Sequence, residues 1–129
     1  MKTFVLLAVS IALVGILFGP MVMAAPPTPN DLQIVQPDPS LPKELSDFFG
    51  KWEGSSMGIN YFLIVEKIDE EKANLYLWRS SSGDVPQGWL RYEAPVIKER
   101  GKYKLWFQDR FSKIELTLKG EYLNYEGKF

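Results

Sequence analysis

Neither cysteine nor histidine occurs among the 129 residues, and those two gaps remove whole classes of chemistry. A disulfide framework, a thiolate nucleophile, a zinc site built on Cys or His, and any mechanism that turns on an imidazole base are excluded. An excess of either charge is also missing. With 15 basic and 16 acidic residues the formal net charge is -1, so nothing draws the chain generally to a polyanion, and no local basic cluster marks a nucleic-acid partner. No cofactor and no metal is expected. The neighbouring acids Asp69, Glu70 and Glu71 lack the alternating oxygen spacing and the bend glycine of a calcium loop, and they read as a solvated turn.

What is present begins with a leader. Met1 and Lys2 precede an apolar run from Phe4 to Phe18, then the helix breakers Gly19 and Pro20, then Val22-Met23-Ala24 before Ala25-Pro26. A short basic start, an apolar helix, a breaker and small residues form the pattern of a secretory signal over 1–24, cleaved after Ala24. The uncharged stretch from Thr3 to Ala25 is also long enough to cross a bilayer, so an uncleaved N-terminal anchor is the competing expectation and the only expected route to a membrane. Either way the rest of the chain faces outside the cytoplasm, secreted or periplasmic. An exported chain without cysteine suits a bacterial envelope.

Residues 25–42 hold six prolines, at 26, 27, 29, 37, 39 and 42. They forbid a regular helix and read as a linker, with Asp31–Gln36 able to form a short edge strand. Leu45 and Phe48 or Phe49 then stand three and four apart, which predicts one or two helical turns laying an apolar plug on the domain of 43–129. Pro42 falls in the first turn and Gly50 after the last.

From Gly50 onward apolar residues recur mainly every second position. Seven strands are predicted, at about 50–56, 59–68, 73–80, 88–98, 102–108, 112–119 and 121–127, and short turns such as Arg100-Gly101 and Lys119-Gly120 pair sequence neighbours as hairpins. Alternation assigns faces. Ile114, Leu116 and Leu118 oppose Lys113, Glu115 and Thr117; Leu75 and Leu77 oppose Asn74, Tyr76 and Trp78; the strand of Tyr61, Leu63 and Val65 is apolar on both faces. A continuous apolar face on antiparallel strands curls around itself. The expected fold is all-β, a small antiparallel up-and-down barrel or half-barrel of about seven strands.

Phe49-Gly50-Lys51-Trp52-Glu53-Gly54, placed after the plug and opening the first strand of the meander, resembles the Gly-x-Trp signature of the calycin superfamily: lipocalins, fatty-acid-binding proteins and avidins. The pattern is similar to that of small bacterial lipocalin-like domains, through Trp52-Glu53-Gly54, Val65-Glu66-Lys67-Ile68, Leu75-Tyr76-Leu77-Trp78 and Gly88-Trp89, and it covers about 50–127. The resemblance implies a barrel that binds a ligand inside, with Gly50, Trp52 and Gly54 structural and Trp52 closing the barrel base. Two departures stand out: the last strand lacks the arginine that lipocalins set over that tryptophan, and Gly54 stands where avidins carry the asparagine of their biotin loop. Barrels of this kind usually have eight strands. Asp31–Gln36 supplies the eighth, or the barrel stays open, or a second chain covers the unpaired edge, which makes a protein partner or a homodimer an expectation too.

All four tryptophans and all six tyrosines follow the leader, more rings than the interior holds beside its aliphatic residues. Some must line a pocket mouth or a surface patch. Tyr76, Trp78, Trp89, Tyr92 and Trp106 are the candidates, with Arg79 and Arg91 beside them to pin a carboxylate or stack on a planar ligand. The polar loop 80–88 is the natural lid or contact surface. Against a site, Trp78 and Trp106 serve equally to cover a neighbouring strand and Arg79 to meet solvent. Catalysis has little to stand on: Glu53, Glu66 and Glu93 lie in strands rich in lysine, where cross-strand charge pairs account for them, so no enzyme activity is expected. Two functions stay open. A carrier of a small hydrophobic or aromatic molecule calls for a cavity lined by Leu63, Val65, Leu75, Leu77, Tyr103 and Leu116. An envelope structural or protein-interaction module calls for those side chains to fill a dry core and for the outward aromatics to form a patch.

Overall fold

Period-two alternation between tight turns is realised as a meander of hairpins. The computed structural model describes residues 2–7, 26, 28–56, 58–80, 88–109 and 112–128. Its elements are β1 (Lys2–Leu7), α1 (Lys43–Ser46), β2 (Gly50–Ser56), β3 (Ile59–Ile68), β4 (Lys72–Arg79), β5 (Gly88–Glu99), β6 (Lys102–Gln108), β7 (Lys113–Lys119) and β8 (Tyr122–Lys128). From β2 to β8 each strand pairs antiparallel with the next, and the order β1 to β8 closes as a barrel. The turn between β5 and β6 shows how the sequence sets the register. Arg100 and Gly101 both take positive φ, 51° and 78°, the two-residue geometry whose twist matches that of the flanking strands.

Strand β1 closes the ring in a way the alternation did not foretell. It runs parallel to both neighbours, with Lys2 and Thr3 in register with Trp52 and Glu53 of β2, and Phe4 to Leu7 in register with Leu123 to Glu126 of β8. The eighth strand is therefore Lys2–Leu7 and not Asp31–Gln36. The rest of the leader, including its cleavage position, lies outside the described residues, as does 81–87 of the loop expected to act as a lid.

Asp31–Gln36 instead crosses the outer face of the sheet. A bulge between Val65 and Lys67 leaves Glu66 without a ladder partner. The lead uses that residue: the Val35 N–H donates to the Glu66 carbonyl at 2.8 Å and the Gln33 N–H to Glu66 Oε2 at 2.7 Å.

Inside, the assigned faces meet. Leu63, Val65, Leu75, Leu105, Leu116 and Leu123 are all 0% exposed and belong to one packed core. The plug seals one end. Leu45 N–H and Ser46 N–H both donate to the Pro42 carbonyl, the proline opening the turn as expected. Leu45 and Phe48 are buried in the core, and Trp52 is buried against them with its indole Nε1–H donating to the Phe48 carbonyl at 2.9 Å. Full burial of one such side chain contributes about 1.5–3 kcal/mol, so Leu45 and Phe48 together hold the plug on the barrel.

Candidate functional site

The end away from the plug carries the chemistry. Arg79 is the next residue on the face of Leu75 and Leu77, so period two aims it into the barrel, in register with Tyr61. Asp109 follows β6, and its N–H donates to the Ser112 carbonyl at 2.9 Å. Arg79 Nη1 donates to Asp109 Oδ2 at 3.0 Å, with the two side chains 13% and 6% exposed. Around this pair runs a band of rings. Tyr61 lies 5.4 Å from Tyr125, Tyr125 6.4 Å from Phe107, and Phe107 4.6 Å from Tyr92. Burial pushes the Tyr61 and Tyr125 phenols above their ordinary value, with Arg79 opposing. Both therefore stay neutral hydroxyls at any physiological pH, able to donate as well as accept.

A proline opens this end to the side. The ladder between β5 and β6 extends only from Val96 and Leu105 to Glu99 and Lys102. Pro95 comes next and has no N–H to continue it. Along Gly88–Ala94 the strand pairs with β4 alone, and the Tyr92–Phe107 ring contact replaces the missing ladder. Leu90 is in register with the buried Leu77, yet it is 54% exposed at this slit. The arrangement is a shallow mouth: one balanced ion pair, neutral phenols, aromatic faces, and an apolar side chain left in water, above a floor of filled core.

The seven binding candidates divide among three places. Arg79 and Tyr92 belong to the mouth. Tyr76, Trp78, Trp89 and Arg91 share the outer face of β4 and β5, where Tyr76 is in register with Arg91 and Trp78 with Trp89. There Arg91 clamps the lead: Nη1 reaches Asp31 Oδ2 at 2.8 Å, Nε reaches Glu66 Oε1 at 3.2 Å, and the guanidinium lies 4.2 Å over the Tyr76 ring. Hydrogen bonds to Glu66 and Asp31 hold the Arg91 pKa above its ordinary value, while the hydrogen bond from Arg91 holds the Asp31 carboxyl below its own. Tyr76 and Trp78 are 8% and 9% exposed, with Trp78 edge-on to Phe62 at 5.7 Å. A cleft beside Pro26, Pro29, Phe62 and Trp89 measures about 80 Å³, below the few hundred cubic ångströms of a small-molecule pocket. Trp106 stands apart on the wall of β6 and β7, with Lys113 4.6 Å over its ring and in register with Glu115, a carboxylate ringed by Lys104, Lys113 and Lys128.

The residues taken as structural are placed in β2: Gly50 at a φ of 118°, Trp52 against the plug, and buried Gly54 in register with Tyr61. Of the strand carboxylates, Glu93 pairs with Lys72 at 3.5 Å, and Glu66 meets Asp31 with Arg91 between them. Tyr61, Leu90, Phe107, Asp109 and Tyr125 were not among the candidates. Pro95 inside a predicted strand was the readable sign of the slit, and the parity of Arg79 was the sign of the mouth.

No family model, no curated protein and no solved structure matches this chain.

Proposed function

We propose that the protein is an exported, non-enzymatic binding protein that takes a small, mostly apolar molecule at the mouth of the barrel. The observation that carries this reading is Leu90, an apolar residue on an inward register position left 54% exposed beside Tyr92 and Phe107. Exposed apolar surface next to aromatic rings is where burial by a ligand returns the most free energy. The ligand's polar part is expected to be neutral, a carbonyl or hydroxyl that accepts from Arg79 or a phenol. An anion would compete with Asp109, which already neutralises the guanidinium in a water-poor site. Ligand size is bounded by the floor of enclosed leucines, all 0% exposed. The leader pattern supports export, and the calycin resemblance supports binding at the open end.

A fluorescence titration with neutral N-phenylnaphthylamine tests the reading. Saturable enhancement is expected, weakened at least about tenfold by Leu90→Lys, equivalent to about 1.4 kcal/mol. Position 90 is exposed, so this substitution spares the fold. Absent saturation, or an affinity unchanged in the variant, would overturn it.

A second reading, a structural or protein-interaction module of the envelope, is favoured by the filled core. The outward aromatics Tyr76 and Trp78 are too enclosed to serve as its patch, so it needs another surface.

A further inference from the structure

Positive charge gathers around the turn between β5 and β6. Lys98, Arg100, Lys102 and Lys104 fall at every second position there, separated by Glu99, Gly101 and Tyr103, so no unbroken basic run marks them. The fold sets Lys104 in register with Thr117 of β7, which shares the outer face with Glu115 two residues away. Residues 98–129 carry eight basic and five acidic groups, and the rest of the chain seven and eleven. The near-neutral total therefore conceals a positive stretch on the β5–β7 wall.

That wall holds an open basin of about 740 Å³, lined by Glu99, Arg100, Lys102, Lys104, Glu115 and Thr117 and by the ring of Tyr103. The volume lies within the few hundred to about 1,000 Å³ of small-molecule sites. The acceptors of the basin are already engaged. Lys104 Nζ lies 3.1 Å from Glu99 Oε2 and 3.5 Å from Glu115 Oε1, and Lys128 Nζ lies 3.0 Å from Glu115 Oε2. The donors are not. Arg100 and Lys102 are exposed, and among the described residues neither side chain has an ion-pair or hydrogen-bond partner. Thr117 Oγ1 accepts from Asn124 Nδ2 at 3.3 Å, which leaves its own O–H to donate. A guanidinium, an ammonium and a hydroxyl thus line one space with nothing to donate to.

Such a set is complementary to an oxyanion. Donors from the turn, from β6 and from β7 suit a tetrahedral phosphate, with acceptors on several sides, better than a planar carboxylate. The basin is several times larger than a phosphate, so an organic group accompanies it beside the Tyr103 ring. We propose that this basin on the β5–β7 wall binds a phosphate ester, with Arg100, Lys102 and Thr117 donating to the phosphate oxygens. A soluble molecule and a lipid headgroup both supply that chemistry. The site is distinct from the mouth, where Asp109 already neutralises Arg79, and it stands without ligand binding there.

The test follows amide chemical shifts of the full chain in low-salt, phosphate-free buffer, where screening is least. Phenyl phosphate is titrated, with benzoate as the planar anion for comparison, and sedimentation with phosphatidylglycerol or phosphatidylcholine vesicles is measured in parallel. Saturable shifts with phenyl phosphate are expected at residues 100–104 and 115–117, with benzoate several-fold weaker. Arg100→Gln with Lys102→Gln is expected to weaken phenyl phosphate at least about tenfold. Both positions are exposed, so the fold is kept, as near-ultraviolet dichroism should show. Lys43→Gln with Lys67→Gln removes the same charge at exposed positions outside the basin and should leave the affinity within about twofold. Binding of the ester without sedimentation assigns the phosphate to a soluble molecule. Sedimentation with phosphatidylglycerol and not phosphatidylcholine, abolished by the Arg100 and Lys102 substitutions, assigns it to a headgroup. No binding in either arm, an equal loss in the Lys43 and Lys67 variant, benzoate as tight as phenyl phosphate, or shifts centred elsewhere would each overturn the proposal.

Discussion

Leu116→Ala probes the filled interior on which the mouth reading depends. Leu116 is 0% exposed and stands in register with Leu105 on one side and Tyr125 on the other. Deleting its outer carbons forfeits about 2.4 kcal/mol at roughly 0.8 kcal/mol for each of about three groups. A residual void of about 60 Å³ adds about 1.4 kcal/mol at about 24 cal/mol per Å³. The expected loss is therefore about 3–4 kcal/mol, read by urea unfolding as a midpoint shift of roughly 2 M when the slope lies near the middle of the usual range. Leu90→Ala serves as the contrast. Half its surface is already in water, and its loss is expected below about 1 kcal/mol. A Leu116→Ala cost under about 1.5 kcal/mol would refute the reasoning, because the side chain would then have bordered space instead of packed neighbours.

Three further outcomes follow from the same geometry. Arg79→Met leaves the nearly enclosed Asp109 carboxylate without its cation and should cost about 3 kcal/mol in chemical denaturation, whereas Arg79→Met with Asp109→Leu should recover most of it; failure of the double variant to recover would deny that the pair is buried together. The lead should come off the sheet in acid. Asp31 is held below its ordinary value of 3.8, so its contribution is present above that pH and fades as the pH falls through the lowered value, a change that Trp89 fluorescence should report and Asp31→Asn should abolish. Arg100→Asn should raise stability by a few tenths to about 1 kcal/mol, because a φ of 51° at Arg100 suits asparagine better; a loss on thermal unfolding would contradict the turn assignment.

Strand positions were legible because one face of each strand is buried, and burial fixes parity; every predicted strand agrees with the observed one to within a residue or so at either end. What escaped the sequence depends on partners far along the chain. Glu66 looked like one more outward carboxylate, and nothing local announced the bulge that sets it against the lead and Arg91. Arg79 was on the inward parity, but its acceptor lies thirty residues on, just past β6, and no spacing encodes that approach. Lys2–Leu7 lies inside the apolar leader pattern, where a hydrophobic run does not by itself announce a strand. The outer aromatics were taken as open surface, since a proline-rich segment carries no periodicity to show that it lies down on a sheet. Pro95 carries the sign of the slit in the sequence itself: a proline inside a strand denies one neighbour its ladder, and here that neighbour is β6.

Chemical-shift mapping of bound N-phenylnaphthylamine on isotope-labelled protein tests the central claim most directly. The account predicts saturable shifts confined to Tyr61, Leu90, Tyr92, Phe107 and Tyr125. Shifts centred on Leu63, Leu75 and Leu116, or on Trp78 and Trp89 outside the barrel, would contradict it.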